Sequence, residues 1–200
     1  DKISKIFYDN ILNSNLNNKW LMHIKRILDD TGNGYMWTRQ TDITLKSAHK
    51  LVKRSLQDQY FQNWNGQLNI SSKGKNYRLF KHDLKLEPYL TELPENMRLA
   101  MFRFRTDNHR MPVETGRWSG SRVPYEERKC MLCDSNGIGD PYHYLLLCPF
   151  FRDSRVKYIP MRFYLRPNVL KFSDLMNTSK SPQLMKNIVI FAKEIMQTFT

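Results

Sequence analysis

The sequence predicts a mainly α-helical chain with little or no β-sheet. Apolar residues recur at helical spacing in stretch after stretch, and no strong alternating strand pattern occurs anywhere in its 200 residues. A third observation concerns what holds the helices. The pattern C-x2-C-x9-H-x4-C, formed by Cys130, Cys133, His143 and Cys148, uses every cysteine of the chain. Three thiols and one imidazole at this spacing can close a tetrahedron around one Zn²⁺, with Zn–S near ~2.3 Å and Zn–N near ~2.0 Å. The expected fold is therefore one or more small helical domains stapled by a single CCHC zinc knuckle.

An opening helix is expected over Ile3, Ile6, Phe7, Ile11 and Leu12. A second runs from about Asn17 to Asp29, with Trp20, Leu21, Ile24, Ile27 and Leu28 as its stripe, and Thr31-Gly32-Asn33-Gly34 breaks it. Tyr35 to Thr41 reads as a short aromatic connection. A longer helix follows, from about Asp42 to Trp64, with Leu45, Ala48, Leu51, Val52, Leu56, Tyr60 and Phe61 on one face and Lys46, Lys50, Lys53 and Arg54 on the other. The polar stretch Asn69 to Asn76 marks a boundary between an N-terminal helical part, residues 1–70, and a C-terminal zinc-knuckle helical domain, residues 71–200.

Pro94-Glu95-Asn96 opens a helix to about Thr106 that gathers Met97, Ala100, Met101 and Phe104. Asp107 to Pro124 is loop-like. His109 lies there with Asp107 and Glu114 nearby, and a loop histidine is expected at the surface. In the zinc segment, Gly137 and Gly139 permit turns with positive φ, Asp140 reads as an N-cap with Pro141 at the first helical position, and Pro149 disfavours helical geometry at Cys148. His143 and Cys148 are five apart, about 140° out of phase at ~3.6 residues per turn, so unwinding at Pro149 is expected to let both reach one metal. Two further helices close the chain, near Val169 to Met176 and from Pro182 to the end, the last burying Leu184, Ile188, Phe191, Ala192, Ile195 and Phe199.

The plainer reading of the cysteines is three buried thiols beside a core histidine. A disulfide would leave one cysteine unpaired. Four protein ligands leave no open position for water, so the single Zn²⁺ would be a structural cofactor. Thiols kept free for metal imply a reducing compartment, cytosol or nucleus.

Lys and Arg number 32 against 19 Asp and Glu, a net charge of +13. Such a balance favours a polyanionic partner, most often nucleic acid. No apolar run approaches the ~20 residues needed to span a bilayer, so no membrane partner is expected. The chain begins at Asp1, as a fragment or processed piece would. Basic residues cluster around the proposed ligands. Arg103, Arg105, Arg110, Arg117, Arg122, Arg128, Lys129, Arg152 and Arg155 are candidate phosphate contacts, because a guanidinium can donate two parallel hydrogen bonds to phosphate. Trp118, with Tyr125 and Phe150, is a candidate base-stacking residue.

Glu87-Pro88-Tyr89-Leu90, Phe102-Arg103-Phe104-Arg105, Glu114-Thr115-Gly116-Arg117, Glu127-Arg128-Lys129-Cys130-x-x-Cys133 and Ile138-Gly139-Asp140-x-x-His143-Tyr144-x-x-x-Cys148 occur in that order. Together they resemble the zinc-binding C-terminal region that follows the polymerase domain in non-LTR (LINE-type) retrotransposon reverse transcriptases. The resemblance is strongest over about residues 75–165. That family often has an acidic residue where Pro141 stands, a departure that leaves all four ligands in place.

The resemblance gives Cys130, Cys133, His143 and Cys148 their ligand roles. It implies a module that helps hold template RNA or target DNA during target-primed reverse transcription, partnered by the rest of a polyprotein that is an RNA-directed DNA polymerase. Catalysis is not implied for this chain. A polymerase turn needs an aromatic-x-Asp-Asp sequence, and the only Asp-Asp, Asp29-Asp30, follows Ile27-Leu28 inside a helical pattern. No nuclease constellation occurs either. The alternative is a zinc-stabilised protein-interaction module docking on a partner or on its own polypeptide.

Overall fold

Asn18 starts the first described helix: its side-chain oxygen accepts from the backbone N–H of Trp20 at 3.0 Å and of Leu21 at 3.4 Å. This is a computed structural model. It describes residues 18–39, 43–71, 75–118, 120, 122–177 and 181–199, together with residues 2, 6, 9 and 10. The expected opening helix therefore lies, Lys2, Ile6, Asp9 and Asn10 apart, outside the described residues. The chain divides into two compact units, Asp1–Gly66 and Gln67–Thr200.

In the first unit, helix α1 spans Lys19–Asp30. It closes at Gly32, whose φ of 71° is the left-handed geometry that glycine adopts without strain. Gly32 N–H donates to Asp29 O at 3.0 Å and Asn33 N–H to Leu28 O at 2.7 Å, so two terminal carbonyls find donors. The aromatic connection forms a single helical turn, α2, Tyr35–Thr38. Helix α3 spans Leu45–Ile70 and outruns the expected end at Trp64. Asn65-Gly66 carries a turn signal, but a lone glycine costs a helix only about 1 kcal/mol, and Ser71 N–H still bonds Gln67 O at 2.9 Å. No residue of α3 is buried, and Leu51, Leu56, Tyr60 and Phe61 on the expected apolar face are exposed. Among the described residues of this unit, α1 and one further turn offer too little surface to cover so long a helix.

In the second unit, α4 is Tyr89–Glu92, α5 Glu95–Arg105, α6 Pro112–Thr115, α7 Arg152–Tyr158, α8 Met161–Tyr164, α9 Val169–Met176 and α10 Pro182–Gln197. Ser181 caps α10, its Oγ accepting from Leu184 N–H at 3.3 Å, and Pro182 takes the first helical position. Helix α10 is the central element and packs against α5 and α7. Met101 and Phe104 of α5 are fully buried, as are Ile188, Phe191, Ala192 and Ile195 of α10. Each large side chain so buried contributes about 1.5–3 kcal/mol. Among the described residues there is no strand, only one antiparallel bridge, Lys129 to Ile138.

Arg105 is also in this core, contrary to its expected place among surface phosphate contacts. Its guanidinium lies 2.7 Å from Glu87, donates to Met176 O and covers the Phe80 ring at 4.3 Å. It thereby ties α5 to the segment before α4 and to α9. A planar fork with many donors suits such a site, because each buried donor needs an acceptor.

Candidate metal centre

The side chains of Cys130, Cys133, His143 and Cys148 converge, with all four candidate ligand atoms within 4.8 Å of one another. Cys130 Sγ lies 3.6 Å from Cys133 Sγ and 3.9 Å from Cys148 Sγ. Cys133 Sγ lies 3.3 Å from His143 Nε2. A tetrahedral ion with Zn-like bond lengths would set edges of about 3.8 Å between sulfurs and about 3.5 Å between sulfur and nitrogen. The observed edges match that scale. They are far beyond the ~2.05 Å of a disulfide. The Cys3His group could therefore hold a metal ion with all four positions supplied by protein.

Local structure explains the convergence. The bridge pairs Cys130 N–H with Gly137 O at 2.8 Å and Gly139 N–H with Arg128 O at 2.8 Å, closing the loop that carries both CxxC thiols. Leu132 N–H donates to Cys130 Sγ at 3.4 Å, fixing that turn. The positive φ of this loop falls on Asn136, at 54°, and not on Gly137 or Gly139 as expected; Gly137 has to be glycine for space, because a Cβ there would sit 2.7 Å from His143 Nδ1. Asp140 caps the next turn, accepting from His143 N–H at 2.8 Å through Oδ1, while Tyr125 O–H donates to its Oδ2 at 3.2 Å.

The route from His143 to Cys148 differs from expectation. His143–Leu147 is wound as a π turn, with Cys148 N–H bonded to His143 O at 2.7 Å. An i→i+5 bond brings residues five apart nearly one above the other, so winding removes most of the phase error before Pro149 is reached. Cys148 itself is non-helical, with φ −55° and ψ 121°, as the following proline demands.

Burial, assisted by the positive charge of Arg155, holds the His143 imidazole below its ordinary pKa and favours the neutral form a metal requires. Burial also pushes the Cys148 thiol up to about 12. Burial acts the same way on Cys133, but hydrogen bonds from the Ser135 hydroxyl and backbone outweigh it, and this thiol falls below its ordinary value.

The candidate basic residues divide. Arg103, Arg110, Arg122, Lys129, Arg152 and Trp118 are exposed. Arg155, read from the sequence as a phosphate contact, is buried and donates to the carbonyls of Leu145 at 2.7 Å, Tyr144 at 3.3 Å and Cys148 at 2.6 Å. It braces the turn that presents Cys148. Arg128 donates to Val123 O at 2.9 Å and Val113 O at 2.8 Å, and Arg117 holds both oxygens of buried Glu114 at 3.2 Å. These three are committed within the fold. For Arg117 the sequence offers Glu114 three residues earlier as a partner, but no local signal separates Arg128 and Arg155 from the exposed set.

Tyr125 is half-buried on Asp140, whereas Phe150 is exposed. His109 is buried rather than superficial, its Nε2 3.5 Å from Asp107 Oδ1. The chain reverses at Asp107, φ 52°, which folds this loop inward. No protein-family model, curated protein or solved structure matches the chain.

Proposed function

We propose that this chain is a nucleic-acid-binding module whose second unit is stapled by one structural Zn²⁺. It would act as the C-terminal part of a retrotransposon-type reverse transcriptase that helps hold template RNA or target DNA during target-primed reverse transcription. Catalysis would lie in the parent polymerase, outside this chain. Three thiolates and one imidazole in a tetrahedron suit zinc best among common metals, and a closed ligand set serves structure rather than chemistry.

The observation that carries nucleic-acid binding is the set of exposed, unpaired cations. Arg103, Arg110, Arg122, Lys129 and Arg152 make no side-chain ion pair or hydrogen bond among the described residues, on a chain of net charge +13. Free guanidinium groups around a rigid staple suit phosphate contacts that are largely independent of sequence. Thiols kept for metal favour a reducing compartment, nucleus or cytoplasm. Among the described residues no helix is long and apolar enough to cross a membrane.

The test is a salt titration on single-stranded RNA and duplex DNA, comparing the parent chain with Arg122→Ala plus Arg152→Ala. The slope of log K against log salt should fall by about 0.7–0.9 per lost contact. Identical slopes and affinities would remove these two contacts. A second reading, docking on a protein partner or on the rest of the polypeptide, is favoured by exposed Leu147, Phe150, Val156 and Met161. It would gain if the parent chain bound neither nucleic acid.

A further inference from the structure

Helices α5 and α10, with the loop after α5, enclose a cleft of about 580 Å³, within the usual range of ligand sites. Arg103, Arg110 and Lys193 line it, and no acidic side chain does. None of the three side chains makes an ion pair or hydrogen bond among the described residues. Trp118 stands at the same cleft, 60 % exposed. It sits on a firm base: Trp118 N–H bonds Thr115 O at 3.0 Å, directly after buried α6. No other ring packs against it among the described residues, and an aromatic side chain with an apolar body and a polar N–H suits a binding surface.

His109 is the second, independent observation. Its side chain is 1 % exposed, it lines the cleft, and neither ring nitrogen has a hydrogen-bond partner among the described residues, Nε2 lying 3.5 Å from an equally unmatched Asp107 Oδ1. A buried polar atom left unmatched costs about 1–3 kcal/mol, so this ring is poised for a ligand atom.

A flat apolar ring, three free cations and one unmatched imidazole in a single cleft fit a ligand that alternates anionic groups with planar, hydrogen-bonding rings. We infer that this cleft is a binding site for an unpaired segment of single-stranded nucleic acid: one base stacks on Trp118, Arg103, Arg110 and Lys193 hold the flanking phosphates, and His109 meets a polar atom of the strand. The site rests on the nucleic-acid reading above and narrows it to strands with open base faces. A duplex conceals the faces that Trp118 would stack on. An acidic peptide supplies negative charge but no planar ring.

The test is fluorescence anisotropy of the whole chain with labelled oligouridine, labelled oligothymidine and a blunt duplex of the same length, with polyglutamate as competitor. Trp118→Ala should weaken both single strands by roughly 5- to 100-fold, Trp118→Phe should retain most of the affinity, and the duplex should be indifferent to both. Lys193→Glu should weaken the single strands and lower their salt slope by about 0.7 or more. Because Trp118 is exposed and Lys193 partly so, the variants should keep the parent's thermal melting, which the same samples verify. As the control, Arg122→Glu with Arg152→Glu, outside the cleft, should weaken single strands and duplex alike, which separates general phosphate contact from the cleft.

If the single strands bind, the cleft variants match the parent and only the control weakens, the cleft is overturned while nucleic-acid binding stands. If no nucleic acid binds the parent, both readings fall together. If polyglutamate competes fully and Trp118→Ala changes nothing, the cleft belongs to an acidic protein partner and the inference is overturned.

Discussion

One guanidinium, Arg155, closes the turn that delivers Cys148. Its three carbonyl acceptors belong to Tyr144, Leu145 and Cys148, and a cation at the end of a helical turn also meets the negative end of the backbone dipoles. With zinc in place, three thiolates around a dication leave one net negative charge, which the same guanidinium offsets. Arg155→Met should therefore destabilise the second unit by about 3 kcal/mol, because buried carbonyls lose their donors. Arg155→Lys should recover little, since one ammonium cannot replace a planar fork that serves three acceptors. Denaturant unfolding with zinc in excess measures both.

The ligands also set a pH dependence. Cys148, raised to about 12 by burial, is protonated at neutrality in the metal-free chain and must give up that proton on ligation. His143, held below its ordinary value, has no proton to lose there. The metal-bound state thus carries fewer protons than the metal-free state, so affinity should climb as pH rises from neutrality. Chelator competition at mildly acid and mildly alkaline pH checks the sign, and equal affinities at both would contradict it.

At the scale of elements, α10 carries the second unit. Ile188 is fully buried between α10 and its neighbours, and Ile188→Ala should cost about 2–5 kcal/mol in denaturant unfolding, against about 1 kcal/mol for removing the cap with Ser181→Ala. Much of this was legible in the sequence. The stripe of α10, the start of α5 at Pro94-Glu95 and the four ligand positions all follow from local spacing and local chemistry. The π winding of His143–Leu147 was not, because five residues of ordinary helix formers carry no mark of the ring size they will close. The exposure of α3 was hidden for a different reason: periodicity reports which face a helix would bury, not whether a neighbour exists to cover it. The inward turn of Arg105 and the burial of His109 depend on acceptors and walls contributed from distant parts of the chain, such as Met176 O for Arg105, whereas Arg155 turns in on carbonyls seven to eleven residues before it, which the unforeseen π turn presents.

At the scale of the molecule, the second unit assembles short helices, several only one turn long, around α10 and the Cys3His group. Elements this short have little independent stability and depend on packing, so a metal held by the Cys3His group would have large leverage there. The free energy of metal binding is then folding free energy for the segment that holds the ligands. The most direct test of this account is metal analysis of the purified chain, paired with thermal melting before and after chelation. Close to one zinc per chain is expected, lowered in Cys148→Ala, with loss of the cooperative melt of the second unit on chelation. Metal-free protein whose thermal stability is unchanged by chelator or by added zinc would contradict it.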